Sequence, residues 1–241
     1  MELKDFQAVT FDVYGTLIDW ETGIIEALQP LTDRLETEPT RDAVLQAHAR
    51  HESAQQQATP MRRYSDILAT VYRRLAEEWH RPVHWDECVE YGRSVHRWPA
   101  FPDAADALRC LKEHYRLFVL SNVDNESFAR SNEKLRVSFD GIYTAEDIGS
   151  YKPADANFEY MLDRLKSDFG LKLSDILHTA QSLYHDHAPA NRFGLANAWI
   201  DRQRLSEGGN WGATARVETI PTTEFTFFSM REMADAATRR R

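Results

Sequence analysis

Short, almost wholly apolar runs alternate along much of this chain with longer segments in which apolar residues recur every three or four positions. Ala8-Val9-Thr10-Phe11 is the first run, and it stops at Asp12, where Tyr14-Gly15-Thr16 supplies turn-forming residues. Leu117 to Leu120 stops in the same way at Ser121-Asn122, and Ala196 to Ile200 stops at Asp201-Arg202. Gly141 to Thr144 precedes Lys152-Pro153, and Ile176 to Ala180 precedes Gln181 to Asp186. Brief β-branched and aromatic runs bounded by polar residues predict buried strands. Helical periodicity occupies 104–114, 125–136, 156–169 and 187–193, the last closed by Gly194. Strand and helix in alternation predict an α/β fold, a parallel sheet with helices on both faces. Ligands of such sheets bind outside the carboxyl ends of the strands, where these polar residues fall.

From about Ile18 to Trp98 the rhythm breaks. Segments 22–35, 41–57, 65–79 and 86–97 all carry helical periodicity, separated by turn-prone residues such as Glu38-Pro39-Thr40 and Thr59-Pro60, with no convincing strand. The pattern divides the chain into a core, 1–17 and 98–241, and an inserted helical cap, 18–97. A cap placed after the first strand would cover the strand ends and exclude water. Trp98 and Phe101, beside Pro99 and Pro102, mark the return from cap to core.

Composition narrows the function. The 241 residues carry a formal net charge of −9, with 42% hydrophobic and 28% charged residues. No basic stripe exists to neutralise phosphates, which argues against nucleic acid or an anionic membrane as partner. Arg62-Arg63, Arg73-Arg74 and Arg239 to Arg241 read as solvated faces and a frayed end. No stretch has the roughly 20 apolar residues of a membrane span, and the charged start, Met1 to Gln7, does not read as a signal peptide. Cys88 and Cys110 have no metal-finger spacing and are expected to be reduced and structural, so the expected setting is cytoplasmic.

Four predicted strand ends bring Asp12, Ser121-Asn122, Lys152 and Asp186 toward one pocket. A carboxylate flanked by a lysine, a hydroxyl and an amide suits nucleophilic catalysis, with the lysine holding the carboxylate ionised and oriented. Taken singly, each residue also has an ordinary reading as a helix cap, turn or surface residue. His178, His185 and His187 lack an evident fourth ligand, and zinc is not expected; His185 is a candidate base for a hydrolytic water.

Phe11-Asp12-Val13-Tyr14-Gly15-Thr16-Leu17 resembles the first motif of the haloacid dehalogenase superfamily. Leu120-Ser121-Asn122 resembles the second, Tyr151-Lys152-Pro153 the third and His185-Asp186 the fourth. The resemblance covers nearly the whole chain and implies a Rossmann-like core, a mobile helical cap and a nucleophile at Asp12. Phosphatases of the superfamily resemble Asp-x-Asp at the first motif, the second Asp shuttling protons beside Mg²⁺. Here Tyr14 stands instead, and the Asp-x-Tyr-Gly-Thr form resembles the L-2-haloacid dehalogenases, whose halide leaves without a proton.

That resemblance implies a 2-haloalkanoic acid as substrate, of the haloacetate or 2-halopropionate class, a 2-hydroxy acid as product, an Asp12 ester between them and no cofactor. Lys152 would orient Asp12, Asp186 would position Lys152 and help to activate water, and Thr16 and Ser121 would hold carboxylates. Asn122 would face the halide. A cap arginine also belongs to the pattern; Arg50 is the leading candidate, with His48 and His51 as rivals, and Tyr64 is the candidate aromatic contact. Gln181 and Leu183 replace a Ser and an Asn of the best-known pattern, and Phe158 replaces a Tyr, which points to a pocket rebuilt for another acid or to another reaction. Gln181, His185 and Tyr14 complete the substrate-facing set. The resemblance favours a homodimer, while chain length does not separate dimer from monomer. A Mg²⁺-dependent phosphatase and a catalytically silent binding module remain as alternative readings.

Overall fold

A computed structural model describes residues 1–209 and 215–238; the tail arginines 239–241 lie outside the described residues. Six strands form one sheet: β1 (Ala8–Phe11), β2 (Arg116–Ser121), β3 (Gly141–Thr144), β4 (Ile176–Ala180), β5 (Asn197–Ile200) and β6 (Phe225–Phe227). Their order is β3-β2-β1-β4-β5-β6, and every neighbouring pair is parallel. The α/β class and the Rossmann-like parallel core follow the sequence pattern. Chain order reverses direction across β1, which pairs with β2 on one side and β4 on the other. The crevice at such a switch point is where the sheet leaves room for a ligand.

β1 is buried along its whole length, which explains why it reads as a continuous apolar run rather than an alternating one. β2 divides its side chains by the period of two. Leu117 and Val119 join the cluster that includes Leu108 and Leu111 of α5 (Ala104–Lys112) and Met230 and Met233 of α10 (Met230–Thr238). Phe118 and Leu120 pack on the other face with Phe158, Met161 and Leu165 of α8 (Asp155–Phe169). Both faces are therefore covered. α6 (Asn125–Leu135), a single turn α7 (Ala145–Ile148) and α9 (Ala188–Arg192) complete the core helices.

The inserted block holds α1 (Trp20–Thr32), α2 (Arg41–Ala58), α3 (Tyr64–Glu78) and α4 (Trp85–Gly92), followed by a 3-10 turn at Arg93–Arg97. Asp19 caps α1 by accepting from the Thr22 amide, and Thr40 caps α2 through Ala43. The chain leaves and re-enters the core side by side: Ile18 bridges Ala100, and the Asp19 amide donates to the Pro99 carbonyl at 2.8 Å. Elsewhere the pattern and the structure differ in detail. The segment predicted as a helix over 187–193 begins as a π turn at Leu183–His187, and β6 and α10 were not predicted. None of the described helices is long and apolar enough to cross a membrane.

Candidate active site

Asp12 follows β1 directly, and its amide donates to the Thr179 carbonyl at 3.0 Å, so the sheet itself fixes the start of the loop. The next turn passes through Gly15 at φ +96, a conformation that glycine adopts without strain. That turn brings Thr16 back beneath Asp12, where its hydroxyl donates to Asp12 Oδ2 at 2.8 Å. The Thr16 hydroxyl also accepts from the Gln181 amide at 2.8 Å, linking the loops after β1 and β4. Arg202, after β5, donates to the Thr16 carbonyl and pairs with Asp103, holding the turn from behind.

Lys152 lies at the centre. Its ammonium donates to Asp12 Oδ1 at 2.9 Å, to Asp186 Oδ1 at 2.6 Å and to the Leu120 carbonyl at 3.0 Å. All three donors are thus engaged and the charge is fixed in place. Burial alone would lower Lys152, but Asp12 and Asp186 outweigh it and raise its pKa. For Asp186, burial is outweighed by the Lys152 charge and by the hydrogen bonds from His178 and Lys152, which hold the carboxyl well below the usual range. At Asp12 burial prevails over Lys152 and Thr16, and its pKa is raised. The pair thus has one carboxylate held ionised and one with a reduced preference for charge.

His178 was not among the site residues expected from sequence except as a weighed metal ligand. Its Nε2 lies 3.0 Å from Asp186 Oδ1, and its Nδ1 lies 2.8 Å from the Thr10 hydroxyl. One tautomer satisfies both contacts, with Nε2–H donating to Asp186 and Nδ1 accepting from Thr10. The three histidines do not converge: His185 bonds Ser182, and His187 lies between Asn197 and the Ala180 carbonyl. Phe158 packs on the His178 ring at 5.4 Å between centroids, so its apolar character supports the histidine from behind. Leu183 is buried.

A cavity of about 80 Å³ opens over this cluster, lined on the core side by Asp12, Asn122, Lys152, His185 and Asp186, and on the helical side by Glu52, Gln56, Tyr64 and Trp98. Asp12, Lys152, Asp186, Asn122, Tyr14, Tyr64 and His185, all expected at the site, therefore line one cavity. Ser121 is buried at the end of β2, its hydroxyl without a protein partner. Burial lowers His185 to about 4, so its ring is neutral at pH 7.

Three expectations change. Asn122 lines the cavity, yet its amide is engaged with the Lys152 backbone at both ends, donating at 3.0 Å and accepting at 2.7 Å. This pairing braces Lys152 and leaves one of the two amide N–H donors for the cavity that Asn122 lines. Tyr14 contributes its ring, but its hydroxyl lies 2.8 Å from Ser131 on α6, away from Asp12. Arg50 does not reach the cavity: its guanidinium grips both oxygens of Glu78 at 2.7 Å. With Gln181 and Arg216 it lines a wider outer vestibule of about 390 Å³. The motif resemblance pointed to Arg50 on this helix, but a separation of two residues moves a side chain to another face. The cavity face instead belongs to Glu52, which carried no signal in sequence because an acidic residue on a helix ordinarily faces water.

Comparison with known proteins agrees with the motifs. The family model described as haloacid dehalogenase-like hydrolase matches residues 6–178. The (S)-2-haloacid dehalogenase 4A of Burkholderia cepacia is 31% identical over 107 residues, covering 43% of this chain and 44% of that protein, so the match spans less than half of its length. The (S)-2-haloacid dehalogenase of Pseudomonas putida is 25% identical over 234 residues, covering 91% and 92% of the two chains. The L-2-haloacid dehalogenase of Xanthobacter autotrophicus, solved with chloropropionic acid covalently bound, superposes with a TM-score of 0.76 at 15% identity, over 95% of this chain and 97% of that one. At that identity the superposition establishes the shared fold.

Proposed function

Because this chain belongs to the haloacid dehalogenase-like hydrolase family, we propose that it hydrolyses a small 2-haloalkanoic acid to the 2-hydroxy acid through an ester on Asp12. The observation that carries the reading is a carboxylate bracketed by Lys152 and Thr16 while the residue two positions on, Tyr14, turns its hydroxyl to Ser131. Such a site provides a nucleophile with no carboxyl two positions on to shuttle a proton, which suits a leaving group that departs as an anion. The names of the two curated relatives support the same chemistry.

In this mechanism the Asp12 carboxylate displaces halide from C2, the carbon–halogen electron pair leaving with the halogen. Water then adds to the Asp12 carboxyl carbon, and the 2-hydroxy acid departs with the alkyl oxygen taken from Asp12. Asp186 Oδ2 is buried without a protein partner and supplies the acceptor that orients this water. The proton lost by water leaves with the products, so one halide and one proton appear per turnover. Ser121, whose hydroxyl lacks a protein partner, holds the substrate carboxylate.

Residues 18–97 act in this reading as the cap that closes the cavity, tied to the core by Arg63–Glu146 and by the Tyr151 hydroxyl donating to the Arg62 carbonyl at 2.6 Å. The net charge of −9 supports a small-molecule substrate over nucleic acid. A homodimer and a cytoplasmic setting rest on the motif resemblance and the reduced cysteines, and light scattering of the purified chain tests the first.

Halide release from chloroacetate and both enantiomers of 2-chloropropionate, with and without a chelator, tests the reaction. Chelator-insensitive release that disappears in Asp12→Asn is expected. In ¹⁸O-water, a single turnover should leave label in Asp12 and none in product. Halide retained on carbon together with Mg²⁺-dependent phosphate release from an aryl phosphate would replace this reading with a phosphatase.

A further inference from the structure

Glu52 faces the reacting cluster from α2 and lies in the cavity with Asp12, Lys152 and Asp186. Its side chain is 15% exposed. Both nearby donors reach the same oxygen: the Tyr64 hydroxyl donates to Oε1 at 2.8 Å and the Gln56 amide at 3.3 Å. Oε2 accepts no hydrogen bond from a described residue; its nearest charged-type neighbour is His48 Nδ1 at 3.7 Å. A carboxyl group with one oxygen doubly donated to and the other without a donor is arranged as a neutral acid, with the proton on Oε2.

The surrounding charges favour the same form. Lys152 is the sole cation lining the inner cavity among the described residues, and its three donors are engaged elsewhere. Burial lowers His48 to about 3, and Arg50, which with Arg216 and Glu52 lines the outer vestibule, is held by Glu78, so α2 gives Glu52 no cationic partner. Tyr64 from α3 and Tyr91 from α4 are raised well above their ordinary values, chiefly by burial, as is Tyr151 from the core, so each stays protonated. His185 is neutral, while Asp12 and Asp186 across the cavity add negative charge. Burial pushes Glu52 up to about 7, against the hydrogen bond from Tyr64.

We propose that Glu52 is the hydrogen-bond donor to the departing halide, presenting Oε2–H from the cap while Asp12 attacks from the core. This inference rests on the dehalogenase reading above. An in-line displacement sends the leaving group away from the nucleophile, and the side of the cavity opposite the strand ends is the one that α2 and α3 supply. The proton stays on Glu52: the Asp12–carbon bond forms, the carbon–halogen pair leaves as halide, and the halide accepts the hydrogen bond. Arg50 is paired outside, so this neutral donor stands where a cation was expected. A neutral donor helps most where the halide accepts hydrogen bonds most strongly, which is fluoride. The cavity, about the volume of two to three waters, fits a two-carbon acid.

The test is kcat/KM for fluoroacetate, chloroacetate and bromoacetate from pH 5.5 to 9 in the full-length protein, Glu52→Gln, Glu52→Leu and Tyr64→Phe. Wild-type kcat/KM should fall about tenfold per pH unit above the ionisation of Glu52, and Glu52→Gln should lose that limb. Glu52→Leu should cost on the order of a hundredfold with fluoroacetate and about tenfold or less with bromoacetate. Tyr64→Phe removes a donor that stabilises ionised Glu52, so the alkaline limb should move to higher pH, an outcome that does not depend on whether Glu52 variants fold. An equal loss on all three acids, or a limb that persists in Glu52→Gln, would overturn the proposal. Absence of halide release from the wild-type protein would instead remove the dehalogenase reading, and this inference with it.

Discussion

Asp12 and Asp186 share one ammonium, and their surroundings push them in opposite directions. The folded protein holds the Asp12 proton more tightly than the unfolded chain does, so ionised Asp12 costs stability above its folded pKa, and the cost is relieved as pH falls through that value. Asp186 has the reverse sign: its depressed pKa contributes stability that is present above the ordinary carboxylate range and lost only in strong acid. Two isosteric substitutions should therefore separate. Asp12→Asn should lose at least about four orders of magnitude in turnover while its melting temperature at pH 7.5 stays level or rises. Asp186→Asn should lower both. The raised Asp12 also predicts that the acid limb of kcat/KM lies above the value of about 4 of an ordinary aspartate, read from initial rates between pH 4 and 7. Ser121 offers a milder contrast. Its hydroxyl is buried without a protein partner, so Ser121→Ala should leave urea stability unchanged or slightly higher while KM for the haloacid rises, by about tenfold if one hydrogen bond to the substrate carboxylate is lost.

At the scale of elements, the hinge where the chain returns to the sheet through Trp98 is closely packed. A Cβ on Gly23 of α1 would lie 2.2 Å from the ring of Trp98, which is buried and lines the cavity. Gly23→Ala should therefore destabilise by about 1–3 kcal/mol through overpacking, visible in the urea midpoint. It should also lower kcat/KM, because the ring can yield only toward the cavity or the core. The hinge shows what sequence patterning conveys and what it leaves out. Five strands and the inserted helices were legible because runs such as Ala8 to Phe11 and Leu117 to Leu120 are buried, and the residues that follow β1, β2 and β4 carry the site. β6 is three residues long and only half-buried on alternate positions, so it leaves neither an apolar run nor a clean alternation. Lys152, Asp12, Thr16 and Asp186 were legible because adjacent strand ends converge in any sheet of this type. The α2 and α3 side of the cavity was not, since which residue of α2 points inward depends on how that helix rotates against α3. Arg50, the sequence choice, and Glu52, the residue found there, differ by two positions and by the sign of their charge.

For the whole molecule, the decisive quantity is the field that an anionic substrate crosses. The chain carries a net charge of −9, and the inner cavity sets the carboxylates Asp12 and Asp186 against Lys152, with Glu52 held as a neutral acid. The outer vestibule contains Arg50 and Arg216, but Glu78 neutralises Arg50. On the proposed function a haloacid anion approaches a chain of net negative charge, and repulsion of this kind lowers association rather than chemistry. Raising ionic strength from about 10 mM to about 150 mM shortens the screening length from roughly 30 Å to roughly 8 Å. The expected result is a rise of about two- to fivefold in kcat/KM for chloroacetate, with kcat unchanged, measured in sodium sulfate so that no halide product is added. Arg50→Gln removes a vestibule cation and leaves Glu78 with His51, and its kcat/KM should be lower at low salt and should converge on the wild-type value as salt increases. A wild-type kcat/KM that falls with salt would assign the approach to local attraction by Arg216 and Arg50, and the net charge would then have no bearing on how substrate enters.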